Sequence, residues 1–160
     1  MDNPIFILLG SNLGDRQKNL DQARQEISRS VGDIITTSAT YKTAAWGNKQ
    51  QPDFFNQVIE IRSSHDPNKL ISDTQLIEEK MGRIRKEKWG PRIIDIDILF
   101  YGDIVISNEK ITIPHPEIPN RRFTLLPLSE VAPDFIHPVL KRSVFQLLKA
   151  CADDLLVEKL

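Results

Sequence analysis

Apolar positions follow two different periods along this chain, and the switches between them predict its elements. Ile5-Phe6-Ile7-Leu8-Leu9 is continuously apolar over the length of a short strand and closes on Gly10-Ser11-Asn12-Leu13-Gly14-Asp15, which is dense in turn and cap residues. From Arg16 onward Leu20, Ala23, Ile27 and Val31 recur at helical spacing, so a first helix is expected to end near Gly32. Ile34 to Lys42 and Phe55 to Ser63 read as two strands, separated by a loop longer than a hairpin needs. Pro67 in a first-turn position, with Asp66 as its cap, opens a second helix whose buried stripe is Leu70, Ile71, Ile77 and Met81. After a second long loop over 82–92, a dense β-branched run ends at Phe100 and reads as a strand. Residues 104–113 look like a small hairpin around Asn108. Pro114, Pro116, Pro119, Pro127, Pro133 and Pro138 then cut the chain into short pieces before one last helix from about Lys141.

The order strand-helix-strand-strand-helix-strand predicts an α+β protein: a ferredoxin-like split βαβ core with a mostly antiparallel sheet, helices on one face, and an extra C-terminal hairpin and helices. At 160 residues, one domain over 1–160 is expected. A net charge of −1 and a pI near 6.3 argue against general nucleic-acid binding. Cys151 is the single cysteine, which excludes an internal disulfide and fits a reducing compartment; its surroundings suggest a buried helical thiol. The N-terminus lacks the pattern of a signal peptide, and no stretch approaches membrane-spanning length. A soluble, cytoplasmic monomer is expected, with neither nucleic acid nor membrane as partner.

Chemistry concentrates at Trp89-Gly90-Pro91-Arg92-Ile93-Ile94-Asp95-Ile96-Asp97-Ile98-Leu99-Phe100. Residues two apart on a strand share a face, so Asp95 and Asp97 look the same way while Ile94, Ile96, Ile98 and Phe100 are expected on the other. Two adjacent anions repel, and a divalent cation relieves that repulsion. Lys80 to Arg92 holds six cations against Glu87 alone. The pair by itself also fits the wet face of an amphipathic strand, but the cations beside it favour a polyphosphate site. The 10–14 loop lacks the Gly-Lys-Ser/Thr ending of a Walker loop, and no dinucleotide fingerprint is present. His65 and His137 read as structural hydrogen-bonders, whereas His115, stiffened by Pro114 and Pro116, is placed as if aimed at a ligand. Phe54 and Asn56, on one side of a strand, offer a stacking face and an edge partner for a flat heterocycle.

Gly10-Ser11-Asn12-Leu13-Gly14, Tyr41-x-Thr43, Gln51-Pro52-x-Phe54-x-Asn56, Gly82-Arg83-x-Arg85, Trp89-Gly90-Pro91-Arg92-x-x-Asp95-x-Asp97, Pro114-His115-Pro116 and Arg121-x-Phe123 occur in this order. Together they resemble the 6-hydroxymethyl-7,8-dihydropterin pyrophosphokinase family of folate biosynthesis. The resemblance implies transfer of a pyrophosphoryl group from ATP to the pterin hydroxymethyl oxygen, with AMP released. It implies two Mg²⁺ ions on Asp95 and Asp97, with Arg83 and Arg92 clamping phosphate oxygens. Gln75, Glu78, Arg85, Lys86, Ile98, Lys110, Thr112, His115 and Arg121 would lie along the nucleotide. Thr43, Ala44, Trp46, Phe54, Asn56, Trp89 and Phe123 would form the pterin site. Ala45 stands where the family often has proline, a departure that removes a conformational restraint from this loop.

Overall fold

A computed structural model describes residues 3–44, 51–82 and 92–160 of the chain. Its main sheet is built on β1 (Ile5–Ser11), which pairs antiparallel with β4 (Phe54–Arg62) on one side and β5 (Asp95–Tyr101) on the other. The far edge of β4 is shared by two short strands. β2 (Asp33–Thr37) pairs with its C-terminal half and β3 (Tyr41–Thr43) with its N-terminal half. Sequence patterning suggests one strand here; the break falls at Ser38, whose hydroxyl accepts from the Val58 N–H at 3.0 Å while its carbonyl accepts from the Gln57 amide at 2.9 Å. A further strand absent from the sequence reading, β8 (Val157–Lys159), pairs antiparallel with β3. The hairpin appears as β6 (Ile106–Ser107) and β7 (Thr112–Ile113), and Asn108 Oδ1 accepts from the Lys110 and Ile111 N–H groups in its turn.

Both faces of the sheet are apolar, so both need cover. Helices α1 (Arg16–Ser30) and α2 (Pro67–Lys80) bring Leu20, Ala23, Ile27, Leu70 and Ile77 onto Ile5, Ile7, Leu9, Ile59, Ile61, Ile96 and Ile98. Their caps are local: Asp15 accepts from the Lys18 N–H, and Asp66 from the Lys69 N–H, with Pro67 in the first turn. On the opposite face α3 (Arg122–Val131) and α4 (Val144–Ala150) bury Leu125, Leu128, Val144 and Leu147 against Phe6, Leu8, Val58 and Phe100. Helices therefore cover one face through α1 and α2, and the C-terminal pair covers the second. Each fully buried Leu, Ile or Phe contributes about 1.5–3 kcal/mol of transfer free energy, and these two layers hold the strands in register.

Three sequence expectations need correction. Phe100 does not share a face with Ile96 and Ile98. A register shift pairs Ile7 with Ile98 but Phe6 with Phe100, and this bulge turns Leu99 and Phe100 to the second core. The proline-rich stretch is not all short pieces: α3 runs through Pro127, whose side chain is buried. The last helix starts at Val144, not near Lys141, because Ser143 and Gln146 form a reciprocal capping box there. Cys151 caps the end of α4 and is half-buried. Among the described residues no helix is long and apolar enough to cross a membrane.

Candidate active site

At one end of the central strands, on the face covered by α3 and α4, the row of apolar side chains stops. Register places Asn56 of β4, Gly10 of β1 and Asp95 of β5 side by side, one step beyond Val58, Leu8 and Asp97. Opposed residues in an antiparallel pair share a face, so Asn56, Asp95 and Asp97 project together, and Phe54, two residues before Asn56, joins them. Gly10 makes this possible. A Cβ there would stand 3.0 Å from Asn56 Oδ1 and 3.6 Å from Phe54 Cδ1, filling the space between the amide and the ring. Asn56 is 3% exposed, and its Nδ2 finds no hydrogen-bond acceptor among the described residues. A buried unpaired donor costs about 1–3 kcal/mol, so an acceptor supplied from outside the chain is favoured at this spot. Phe55 faces the other way, under the Arg16 guanidinium at 4.0 Å from its ring centroid, as a core aromatic should.

Both Asp95 and Asp97 are half-buried. Arg92 Nη1 stands 4.0 Å from Asp95 Oδ2, at the outer limit of an ion pair. Between the two aspartates the Ile96 N–H points off the outer edge of β5, where Glu78 of α2 accepts it at 2.8 Å. Glu78, expected along a nucleotide, is thus 3% exposed and joins the helix layer to this edge; Gln75, one turn earlier, is half-buried. Ile98 departs from its expected role. Its side chain is 4% exposed in the core on the far face, away from the two carboxylates.

Asn12, not singled out as a site residue from the sequence, ties the surroundings together. Its backbone N–H donates to the Arg92 carbonyl at 3.0 Å, and its Oδ1 accepts from the Arg92 N–H at 2.8 Å. Its Nδ2 donates to Gln51 Oε1 and to the Pro52 carbonyl at 2.9 and 3.2 Å. A side chain that is 1% exposed therefore fixes both the chain entering β5 and the chain entering β4. The glycine-rich 10–14 turn works as a hub between segments, a role invisible in its local sequence.

His115 follows the cis Ile113-Pro114 bond and is tied to β5 by its N–H, which donates to the Leu99 carbonyl at 3.0 Å. Its Nδ1 accepts from the Glu117 N–H at 3.1 Å, which leaves Nε2 to carry the proton of the neutral ring. Arg121 and Phe123 stand at the start of α3, with the guanidinium 5.6 Å from the ring centroid, while Lys110 and Thr112 are exposed on the hairpin. Thr43 is buried at the end of β3 opposite Phe54, and Ala44 follows it half-buried. Trp46, Arg83, Arg85, Lys86 and Trp89 lie outside the described residues.

Burial holds His115 below the ordinary imidazole value, with Arg121 adding to the effect and Glu117 and Asp95 opposing it. Burial does the same to His137, whose Nδ1 accepts from the Val139 and Leu140 N–H groups. The folded protein therefore prefers both rings neutral, while the unfolded chain takes up protons near pH 6.5. Their contribution to stability is expected to be full above that pH and to fall as pH drops below it, since the unfolded state then binds more protons. Thermal melts over that range check this. The slope should lessen in His137→Asn, whose Oδ1 accepts without titrating, and an unchanged slope would contradict the assignment.

A family model described as 7,8-dihydro-6-hydroxymethylpterin-pyrophosphokinase matches residues 6–133. The chain is 40% identical over 154 residues to the 2-amino-4-hydroxy-6-hydroxymethyldihydropteridine pyrophosphokinase of Haemophilus influenzae, covering 96% of each chain. It is 37% identical over 138 residues to the enzyme of that name from Aquifex aeolicus, covering 86% of each. Among solved structures, a Plasmodium falciparum HPPK-DHPS superimposes with a TM-score of 0.77 at 19% identity, over 94% of this chain and 44% of that one, a likeness of fold. These matches place the chain in a class of enzymes that transfer a pyrophosphoryl group. It belongs to the 7,8-dihydro-6-hydroxymethylpterin-pyrophosphokinase family.

Proposed function

We propose that this chain transfers the pyrophosphoryl group of ATP to the hydroxymethyl oxygen of 6-hydroxymethyl-7,8-dihydropterin, releasing AMP, at the end of strands β1, β4 and β5. The observation that carries the reading is the Asn56 Nδ2, without an acceptor among the described residues and buried beside the gap over Gly10, where Phe54 flanks it. A pterin has the shape and edge chemistry to enter that gap. Its ring stacks between Phe54 and Phe123, and its amide edge meets Asn56 and the backbone near Thr43 and Ala44.

Two carboxylates on one strand face suit Mg²⁺. This ion keeps several waters and binds through one or two carboxylates together with substrate phosphates. Two Mg²⁺ ions held by Asp95 and Asp97 would supply charge neutralisation for the triphosphate and a more acidic acceptor hydroxyl. Arg92, with Arg83 from the basic segment, offsets charge that grows on the transferred phosphates. His115 presents its Nε2–H as a neutral donor toward the nucleotide, alongside Arg121, Lys110, Thr112, Gln75 and Glu78, while Arg85, Lys86, Trp46 and Trp89 complete the two substrate sites. The same reading takes residues 1–160 as a single ferredoxin-like domain, a cytoplasmic monomer, and the strand order β5-β1-β4 flanked by β2 and β3 supports that core.

The test is product identity. Purified protein with ATP, Mg²⁺ and the pterin should release AMP, and only when all three are present. ADP as the nucleotide product, or AMP independent of the pterin, would overturn the reading.

A further inference from the structure

We propose that the C-terminal segment 152–160 is a positioning element of the pterin site, and this inference rests on the functional reading above. The segment lies beyond the span matched by the family model, which ends at residue 133. It touches two walls of the proposed site within a few residues. First, Arg121 precedes α3 in an extended conformation, and its own side chain does not cap the helix. Asp153 does so from outside: its Oδ2 accepts from the Arg122 N–H at 3.0 Å, while its Oδ1 accepts from the Leu155 N–H at 3.1 Å. A carboxylate at a helix N-terminus is favoured by the helix dipole, and this one sits between the neighbours Arg121 and Phe123.

Second, the chain three residues later reaches the opposite wall. Thr43 Oγ1 donates to the Leu156 carbonyl at 3.2 Å, and β8 then pairs Val157, Glu158 and Lys159 with Thr43, Lys42 and Tyr41. The Leu160 N–H donates to the Thr40 carbonyl at 2.9 Å. Antiparallel pairs alternate, so this bond makes Lys42 and Glu158 the next pair that exchanges backbone hydrogen bonds. Without β8, the outer edge of β3 would face solvent. That edge carries Thr43 and Ala44, the last described residues before the segment assigned to the pterin edge.

A third contact links the two walls. Glu130 of α3 accepts from the Tyr41 hydroxyl at 2.6 Å and from the Ala39 N–H at 3.0 Å, and lies 3.7 Å from Lys159 Nζ. Burial and this carboxylate hold the Tyr41 hydroxyl protonated, so it remains a donor. The segment thus fixes the Phe123 wall relative to the Thr43 wall. In the sheet, β5 and β8 lie at opposite ends of the strand order. Loosening β8 should therefore weaken pterin binding and spare ATP, whereas loss of the Asp153 cap, next to Arg121, reaches both sites.

The experiment compares the full chain with a chain ending at Cys151, with Glu158→Pro, which removes a backbone donor from the β3–β8 ladder, and with Asp153→Ala. Glu158→Ala, which keeps that donor, is the conservative control. Pterin is titrated in the presence of a nonhydrolysable ATP analogue, the analogue is titrated alone, and circular dichroism confirms folding. We expect the pterin Kd to rise about tenfold in the shortened chain and in Glu158→Pro, a smaller rise in Asp153→Ala, Glu158→Ala to stay within about twofold of the full chain, and ATP affinity to stay within about twofold in Glu158→Pro. Folded variants with unchanged pterin affinity would overturn the proposal. So would a parallel loss of both ligands in Glu158→Pro, which marks a merely structural role. If the shortened chain does not fold, the two point variants decide. Failure of the unmodified chain to bind pterin at all would overturn the functional reading instead.

Discussion

Replacing Asp97 by alanine is expected to lower turnover on the order of 10³-fold, because half of the carboxylate set that would hold Mg²⁺ is removed. Asp97 lies opposite Leu8 in the β1–β5 register and is half-buried on the same face as Asp95. The Ile96 N–H between the two is taken by Glu78 on the edge. Because Asp97 is half-buried and lies outside both apolar cores, the same substitution should leave the melting temperature of the metal-free protein close to that of the parent. Paired measurements of turnover and of melting in a chelator check both parts. Lost activity with a lowered melting temperature would show that Asp97 supports the fold instead.

Arg92→Ala should separate chemistry from binding. The guanidinium lies near Asp95, and under the proposed function it offsets charge on the transferred phosphates, so its loss is expected to lower kcat about 10²-fold while the pterin Kd stays within about twofold. The backbone of residue 92 is held independently by Asn12, through one bond from each direction, so truncating the side chain leaves the entry to β5 in place. Single-turnover rates together with pterin titration give the two numbers. An equal loss in both would make Arg92 a ground-state binding residue.

What the sequence conveyed follows from the range of the physics involved. The second helix is legible because its cap, its proline and its apolar stripe all lie within a few turns of one another. The Asp95-x-Asp97 pair is legible because strand period alone sets its facing. Three features resisted. The bulge that turns Phe100 to the second core depends on how β5 pairs with β1, and no local pattern encodes that partner. Helix α3 carries Pro127, a residue read as a breaker, and its N-terminus is capped by Asp153, 31 residues away in the chain. Strand β8 is too short and polar to show a period, and exists because β3 offers it an edge. Of the site, side-chain identities could be read from motifs. Asn12 could not be recognised as a hub, since its partners lie 39, 40 and 80 residues away.

The bare position at Gly10 also turns the sheet into a ruler. Asn56 and Asp95 flank it on either side, and with neighbouring strands about 4.8 Å apart the two stand roughly 10 Å from each other, with no side chain between. Anything that grips the amide at one end and is to react beside the carboxylate at the other must bridge that gap. A fused two-ring system with an exocyclic carbon has the reach; a single pyrimidine ring with the same amide edge falls short. Such a one-ring analogue is expected to compete for the amide end without being turned over. Its phosphorylation would show that length plays no part in selection. Substrate choice here would then reside less in any side chain than in the spacing of hydrogen-bonded strands, which mutation of a single residue cannot readily alter.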